Sequence, residues 1–148
     1  MSGAMTWECS VESSGEPDKD GLILLVEDDA AVRTVAQRAL VRYGYEVLPA
    51  SGGEEALRLA RKHKDSIRLL LTDIMMPGMN GVEVAAGVSR ILPSIQIFYM
   101  SGYADQDLVR QGLLKPGTHF LQKPFTPREL AERVGEILAE GRDGDADR

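Results

Sequence analysis

With 148 residues the chain can bury one sizeable core but not two, and 43% hydrophobic against 27% charged residues is the balance of a water-soluble globular protein. Its formal net charge of −6 gathers at the ends: residues 1–20 hold five acids against Lys19, residues 141–148 three acids against two arginines, and the stretch between is nearly neutral. No run approaches the ~18 apolar residues of a membrane span, and no basic stripe could neutralise a row of phosphates, so direct contact with membrane or nucleic acid is not expected.

Residues 1–20 are rich in Gly, Ser, Glu and Asp without periodicity and read as a disordered acidic tail or linker ahead of a domain spanning 21–140. GLILLV, from Gly21, is a continuous apolar run, as expected of a strand covered on both faces. In the following AAVRTVAQRALVRYG, residues Val32, Val35, Ala36, Ala39, Leu40 and Tyr43 recur at helical spacing, and Gly44 ends the helix. YEVL is a short second strand. Ser51 and Glu54 have the spacing of a capping box and open a second helix that turns Leu57 and Ala60 inward. IRLLLT is a third strand, and VEVAAGVSRIL a third helix, weakened by Gly87 and stopped by Pro93. IQIFYM, ADQDLVRQGLL and THFLQ continue the alternation as strand, helix with a thin apolar face, and strand. Thr126, Pro127 and Glu129 open the last helix as cap, first helical residue and box partner. Leu130, Val134, Ile137 and Leu138 form its apolar face, Gly141 ends it, and 141–148 read as a second disordered tail.

Strands alternating with helices of this length predict an α/β fold, a five-stranded parallel sheet with helices on both faces. The flavodoxin-like order 2-1-3-4-5 is the natural arrangement, and it places chemistry at the carboxyl ends of the strands, beside the switch point between the first and third. What stands there is polar: Glu27, Asp28 and Asp29 after the first strand, Asp73 after the third, Ser101 after the fourth and Lys123 closing the fifth. Carboxylates crowded together repel unless positive charge sits among them. Lys123 supplies one charge, and a hard divalent cation such as Mg²⁺, which takes oxygen ligands and keeps several waters, supplies the rest. His63 and His119 are isolated and Cys9 lies in the tail, so a zinc site is not indicated. A magnesium site with a lysine and a hydroxyl outlines phosphoryl transfer. No GxxxxGK[ST] loop is present to cradle a nucleotide, so the donor is not ATP. The acceptor is a carboxylate able to form an acyl phosphate, and Asp73, followed by the flexible-looking Pro77-Gly78-Met79-Asn80-Gly81, is best placed.

In order and at these separations, LLVEDD, TDIMMPGMNG, MSGY and LQKPF resemble the successive signatures of response-regulator receiver domains, over about residues 20–140. The resemblance implies that Glu27 and Asp28 position Mg²⁺, with Asp28 the more direct ligand and Glu27 acting through water. It makes Asp73 the phosphoacceptor and a metal ligand, and the carbonyl of Met75 a further ligand. Ser101 becomes the switch hydroxyl, Lys123 the phosphoryl-binding lysine, and Phe120 the aromatic whose rotamer follows activation. The Lys123–Pro124 bond is implied to be cis. A histidine kinase or histidine phosphotransfer protein is the implied donor, and the domain slowly hydrolyses its own acyl phosphate. The implied output face, toward a downstream protein, comprises the fourth helix, fifth strand and fifth helix. Met75 and Tyr103 flank the approach of water to the acceptor.

The resemblance leaves two arrangements open, a free-standing regulator or the terminal receiver of a hybrid sensor histidine kinase. A non-phosphorylated pseudo-receiver serving as an interaction module is the alternative function, and retention of both the acidic pair and Asp73 argues against it. The opening MSGAMTWECS lacks the basic start of a secretory signal, and the single Cys9 fits a reducing compartment, so the expected location is the cytoplasm.

Overall fold

A computed structural model describes residues 21–146, with side chains as far as Gly141. The expectation that residues 1–20 are disordered falls outside the described residues. Five strands alternate with five helices: β1 (Leu22–Val26), α1 (Ala30–Arg42), β2 (Glu46–Ala50), α2 (Gly53–Lys62), β3 (Ile67–Asp73), α3 (Gly81–Ile91), β4 (Gln96–Ser101), α4 (Asp105–Arg110), β5 (Phe120–Gln122) and α5 (Pro127–Ala146). The strands form one sheet in the order β2-β1-β3-β4-β5, every pair parallel, as expected from the alternation.

The apolar runs are continuous because both faces of the central strands are covered, with side chains alternating between them. Leu24, Val26 and Leu70 point to the side packed by α2, α3 and α4, where Ala56, Val84, Val88 and Leu108 meet them. Ile23, Leu25, Leu69, Leu71, Phe98 and Met100 point to the other side, against Ala36, Ala39 and Leu40 of α1 and Leu130, Val134 and Ile137 of α5. Small residues let helices approach: a Cβ on Gly87 would lie 2.7 Å from Leu57, so the glycine that weakens α3 in isolation seats it against α2.

Several local expectations are corrected. Val35 and Tyr43 are exposed, not part of the buried stripe of α1. Val35 lies at the margin of the face centred on Ala36, Ala39 and Leu40, and Tyr43 is the C-cap, beyond the last helical turn. Ser51 bonds Glu55 rather than Glu54: its N–H and hydroxyl both donate to Glu55 Oε1, at 2.8 and 3.0 Å, while Gly52 occupies the N-cap. α4 stops at Arg110, four residues before the apolar pattern does. α5 passes Gly141 and continues to Ala146, where the sequence reading ends the helix and begins a tail. A glycine costs a helix only about 1 kcal/mol against alanine, and Gly141 keeps a helical φ, packed against Gln96. The box opening α5 forms as expected, Thr126 N–H to Glu129 at 2.8 Å and Glu129 N–H to Thr126 Oγ1 at 3.0 Å.

Candidate functional site

β1 and β3 are hydrogen-bonded neighbours, so the residues that follow them emerge side by side. Glu27 is 1% exposed and Asp73 5% exposed, whereas Asp28 reaches solvent. One oxygen from each of these three carboxylates lies within 4.8 Å of the others, the only such acidic, histidine or cysteine cluster among the described residues. β4 and β5 continue the same end of the sheet. Asp73 pairs with Met100, the residue before Ser101, and the Lys123 N–H donates to the Ser101 carbonyl at 2.8 Å. The structure therefore brings Glu27, Asp28, Asp73, Ser101 and Lys123 to one place, as the strand order requires.

Lys123 lies between two of the acids. Its Nζ is 2.7 Å from Glu27 Oε1 and 3.5 Å from Asp73 Oδ1. The Lys123–Pro124 bond that follows is cis, as the resemblance implies. Burial works against the Lys123 ammonium, but the hydrogen bond to Glu27 and the charges of Asp73 and Glu27 outweigh it and hold its pKa above the usual value. Asp73 responds oppositely. Desolvation by burial, then the Glu27 charge, push its carboxyl up to about 6 against the pull of Lys123. Glu27 has both oxygens engaged, Oε1 by Lys123 and Oε2 by the Asp29 N–H at 3.1 Å. That occupancy suits a residue that acts on a metal at one remove better than one that ligates it directly. Asp28, by contrast, is open to solvent.

Local hydrogen bonds that sequence reasoning missed hold the acidic turn and the loop after Asp73. Asp29 is the N-cap of α1, accepting from the N–H groups of Ala31 and Val32 at 2.9 and 3.2 Å. Arg33, one turn on, donates to the Glu27 carbonyl at 2.7 Å. After Asp73 the segment read as flexible is tied down. Asn80 and Glu83 form a reciprocal capping box at the start of α3, and the Gly81 N–H returns to the Ile74 carbonyl at 2.9 Å. A Cβ on Gly81 would lie 2.2 Å from the Asp73 carbonyl oxygen, so the chain closes over Asp73 only because residue 81 has no side chain. The Asn80–Glu83 spacing was readable as a capping signal; the Arg33 contact has no local signature.

Ser101 is fully buried and its Oγ accepts from the Tyr103 N–H at 3.0 Å. Met75 and Tyr103 expose 45% and 53% of their surface beside the site. Phe120 is half-buried against the apolar layer beneath α4, and its carbonyl accepts from Arg133 of α5 at 3.2 Å. The arginine also lies over the Phe98 ring, 5.4 Å from its centroid. No described helix is long and apolar enough to cross a membrane.

The profile of the response regulator receiver domain matches residues 23–135. Among curated proteins, the chain is 34% identical to the sensor kinase CckA of Brucella abortus over 131 residues, covering 88% of this chain and 14% of the kinase. It is equally 34% identical over 116 residues to the response regulator receiver protein CpdR of the same organism, covering 78% of this chain and 95% of CpdR. Several transcriptional regulatory proteins match over about half of their length. Among solved structures, the receiver domain of the hybrid histidine kinase CckA superposes with a TM-score of 0.68 at 41% identity, covering 80% of this chain and 99% of that one.

Proposed function

The chain belongs to the response regulator receiver domain family, which accepts a phosphoryl group and relays a signal, and from that premise we propose that Asp73 is the acceptor. The observation that carries the assignment is its position. Asp73 is a buried carboxylate at the end of β3, with the Lys123 ammonium 3.5 Å from Oδ1 and two further acids alongside. The carboxylate attacks phosphorus, the bond from phosphorus to the donor's leaving group breaks, and the leaving group departs with its electron pair while an acyl phosphate forms. Lys123 is placed to follow the transferring oxygens from Glu27 to the phosphorylated Asp73. The Ser101 hydroxyl, whose oxygen accepts from the Tyr103 N–H, keeps its own proton to donate to one of them.

Glu27, Asp28 and Asp73, with the Met75 carbonyl, are the groups that would hold Mg²⁺. Oxygen donors alone, with no thiolate or imidazole among them, fit that hard cation. When bound it neutralises charge on the transferring group. The donor is the phosphohistidine of a histidine kinase or a histidine phosphotransfer domain. The output is the face of α4, β5 and α5, where movement of Ser101 toward the phosphoryl group makes room for Phe120 to follow.

Incubation of the whole chain with a small acyl phosphate and Mg²⁺ tests the acceptor. Intact mass should show one added phosphoryl group, labile to hydroxylamine, and none in Asp73→Ala. Undiminished labelling of that variant, or a hydroxylamine-stable product, would place the phosphoryl group elsewhere.

A further inference from the structure

The end of the sheet opposite the acceptor carries a feature that phosphoryl transfer does not use. A groove of about 280 Å³ opens where β3 and β4 begin, with Ile67, Leu92 and Leu138 as its buried apolar floor and the partly buried Ile91 beside them. At ~30 Å³ per water that is room for about nine waters, enough for an indole ring. Its polar lining comprises the basic Lys64 and Arg68, the uncharged Ser94 and Gln96, and Asp65 as the one acid. The last turn of α2 extends this positive character: Arg61 and Lys62 are exposed, as are Lys64 and Arg68.

The chain itself enters the fold at this rim. Gly21 takes a φ of +83°, and a Cβ on it would lie 2.2 Å from Arg68 Cγ, so the backbone leading into β1 passes directly under the stem of a rim arginine. The residues ahead of that point are complementary to the groove in charge and in apolar content. Residues 1–20 carry five carboxylates against one lysine, a net charge of −4, and one aromatic residue, Trp7. Trp7 precedes Gly21 by fourteen residues, a tether of up to about 46 Å at ~3.3 Å per residue. A tether of this kind gives an effective concentration on the order of mM, so even a weak contact is populated.

We propose that residues 1–20 dock in this groove of their own chain, with Trp7 over the apolar floor and the carboxylates against Lys64 and Arg68. The other acidic end is a poorer occupant, because the backbone continues as α5 to Ala146 instead of turning back. Docking at this pole leaves the acceptor end open to a phosphodonor, and the inference is independent of the assignment of Asp73.

Trp7 is the chain's one tryptophan, so its emission reports docking directly. In the full chain the emission should lie to the blue of that of a peptide of residues 1–20. With a millimolar affinity and a millimolar effective concentration about half the molecules are docked, so acrylamide quenching should fall about twofold. Lys64→Glu combined with Arg68→Glu should return both readings to the peptide's values, while Arg110→Glu on α4 should leave them unchanged. Far-UV circular dichroism identifies any variant that fails to fold. Lys64→Gln with Arg68→Gln, which removes charge without reversing it, then serves in its place. Emission equal to the peptide's in the wild-type chain, or indifferent to the rim substitutions, would overturn the proposal. So would shielding that grows with protein concentration, which would mean that a second copy supplies the segment. Shielding that appears only after truncation at Gly141 would give the groove to residues 142–148 and equally overturn it.

Discussion

Burial and the Glu27 charge push the Asp73 carboxyl up to about 6, so the group most directly placed for chemistry is also a stability defect. Below about pH 4, the range of an unfolded aspartate, the proton is bound in both states and nothing is lost. Between about 4 and 6 the unfolded chain ionises first and stability falls as pH rises. Above about 6 the cost is complete, about 3 kcal/mol at 1.36 kcal/mol per decade. Asp73→Asn should therefore raise the Tm of the metal-free protein by several degrees at pH 7.5, with the gap closing toward pH 4. Thermal melts in a chelator measure it, and equal Tm values at pH 7.5 would count against the cause. Met75 and Tyr103 supply a second prediction at this scale. Both are bulky, exposed and unsuited to orienting an attacking water. Met75→Asn with Tyr103→Glu should speed loss of the phosphoryl group about 5- to 150-fold, corresponding to about 1–3 kcal/mol for one oriented water. First-order decay after donor removal gives the rate, and an unchanged rate would reduce these side chains to loop packing.

At the scale of elements, the junction between β3 and α3 does the positioning. Asn80 and Glu83 close the first turn of α3 reciprocally, and Gly81 lets that turn sit against the Asp73 carbonyl. Asn80→Ala should cost about 1 kcal/mol through the lost cap, read as a lower urea midpoint with unchanged slope. Gly81→Ala should cost more, about 1–3 kcal/mol of overpacking. It should also slow labelling by a small donor, because the added methyl displaces the backbone of Asp73, the proposed acceptor. A Gly81→Ala protein that is destabilised yet labelled at the wild-type rate would show that the loop supports the fold without setting the acceptor's geometry. α1 shows how a helix's pattern can mislead. Ala36, Ala39 and Leu40 make its buried face, and Val35, at the margin of that face, is left exposed.

Across the whole molecule, the parallel sheet separates two poles. Carboxylates, hydroxyl and ammonium gather at the strand carboxyl ends, while the basic-rimmed apolar groove lies where the strands begin. Mg²⁺ bound at the first pole should stabilise the entire domain by mass action, since folding alone assembles Glu27, Asp28 and Asp73. At a hundred times its dissociation constant the gain is about 2.7 kcal/mol. Asp28→Ala should lose most of this Mg²⁺-dependent rise in Tm, and a rise of the same size in that variant would remove Asp28 from the ligand set.

The strand order was expected from the general topology of alternating parallel sheets, whereas sequence alone determined the alternation of strands and helices and the identity of the converging polar residues. Each rests on a local signal: apolar runs such as LILLV, a capping box such as Thr126–Glu129, or the first polar side chain after a strand. The neighbourhood of Asp73 was legible as well, since a parallel sheet converts residues distant in sequence into neighbours at one edge. Tertiary structure decided what depends on distance between elements. It set which acid Lys123 approaches more closely, 2.7 Å to Glu27 against 3.5 Å to Asp73. It drew Arg33 onto the Glu27 carbonyl, exposed Val35, and carried α5 past Gly141. Periodicity states which side of an element is apolar, whereas packing fixes how closely two elements approach, and charge placement at the site follows from that approach.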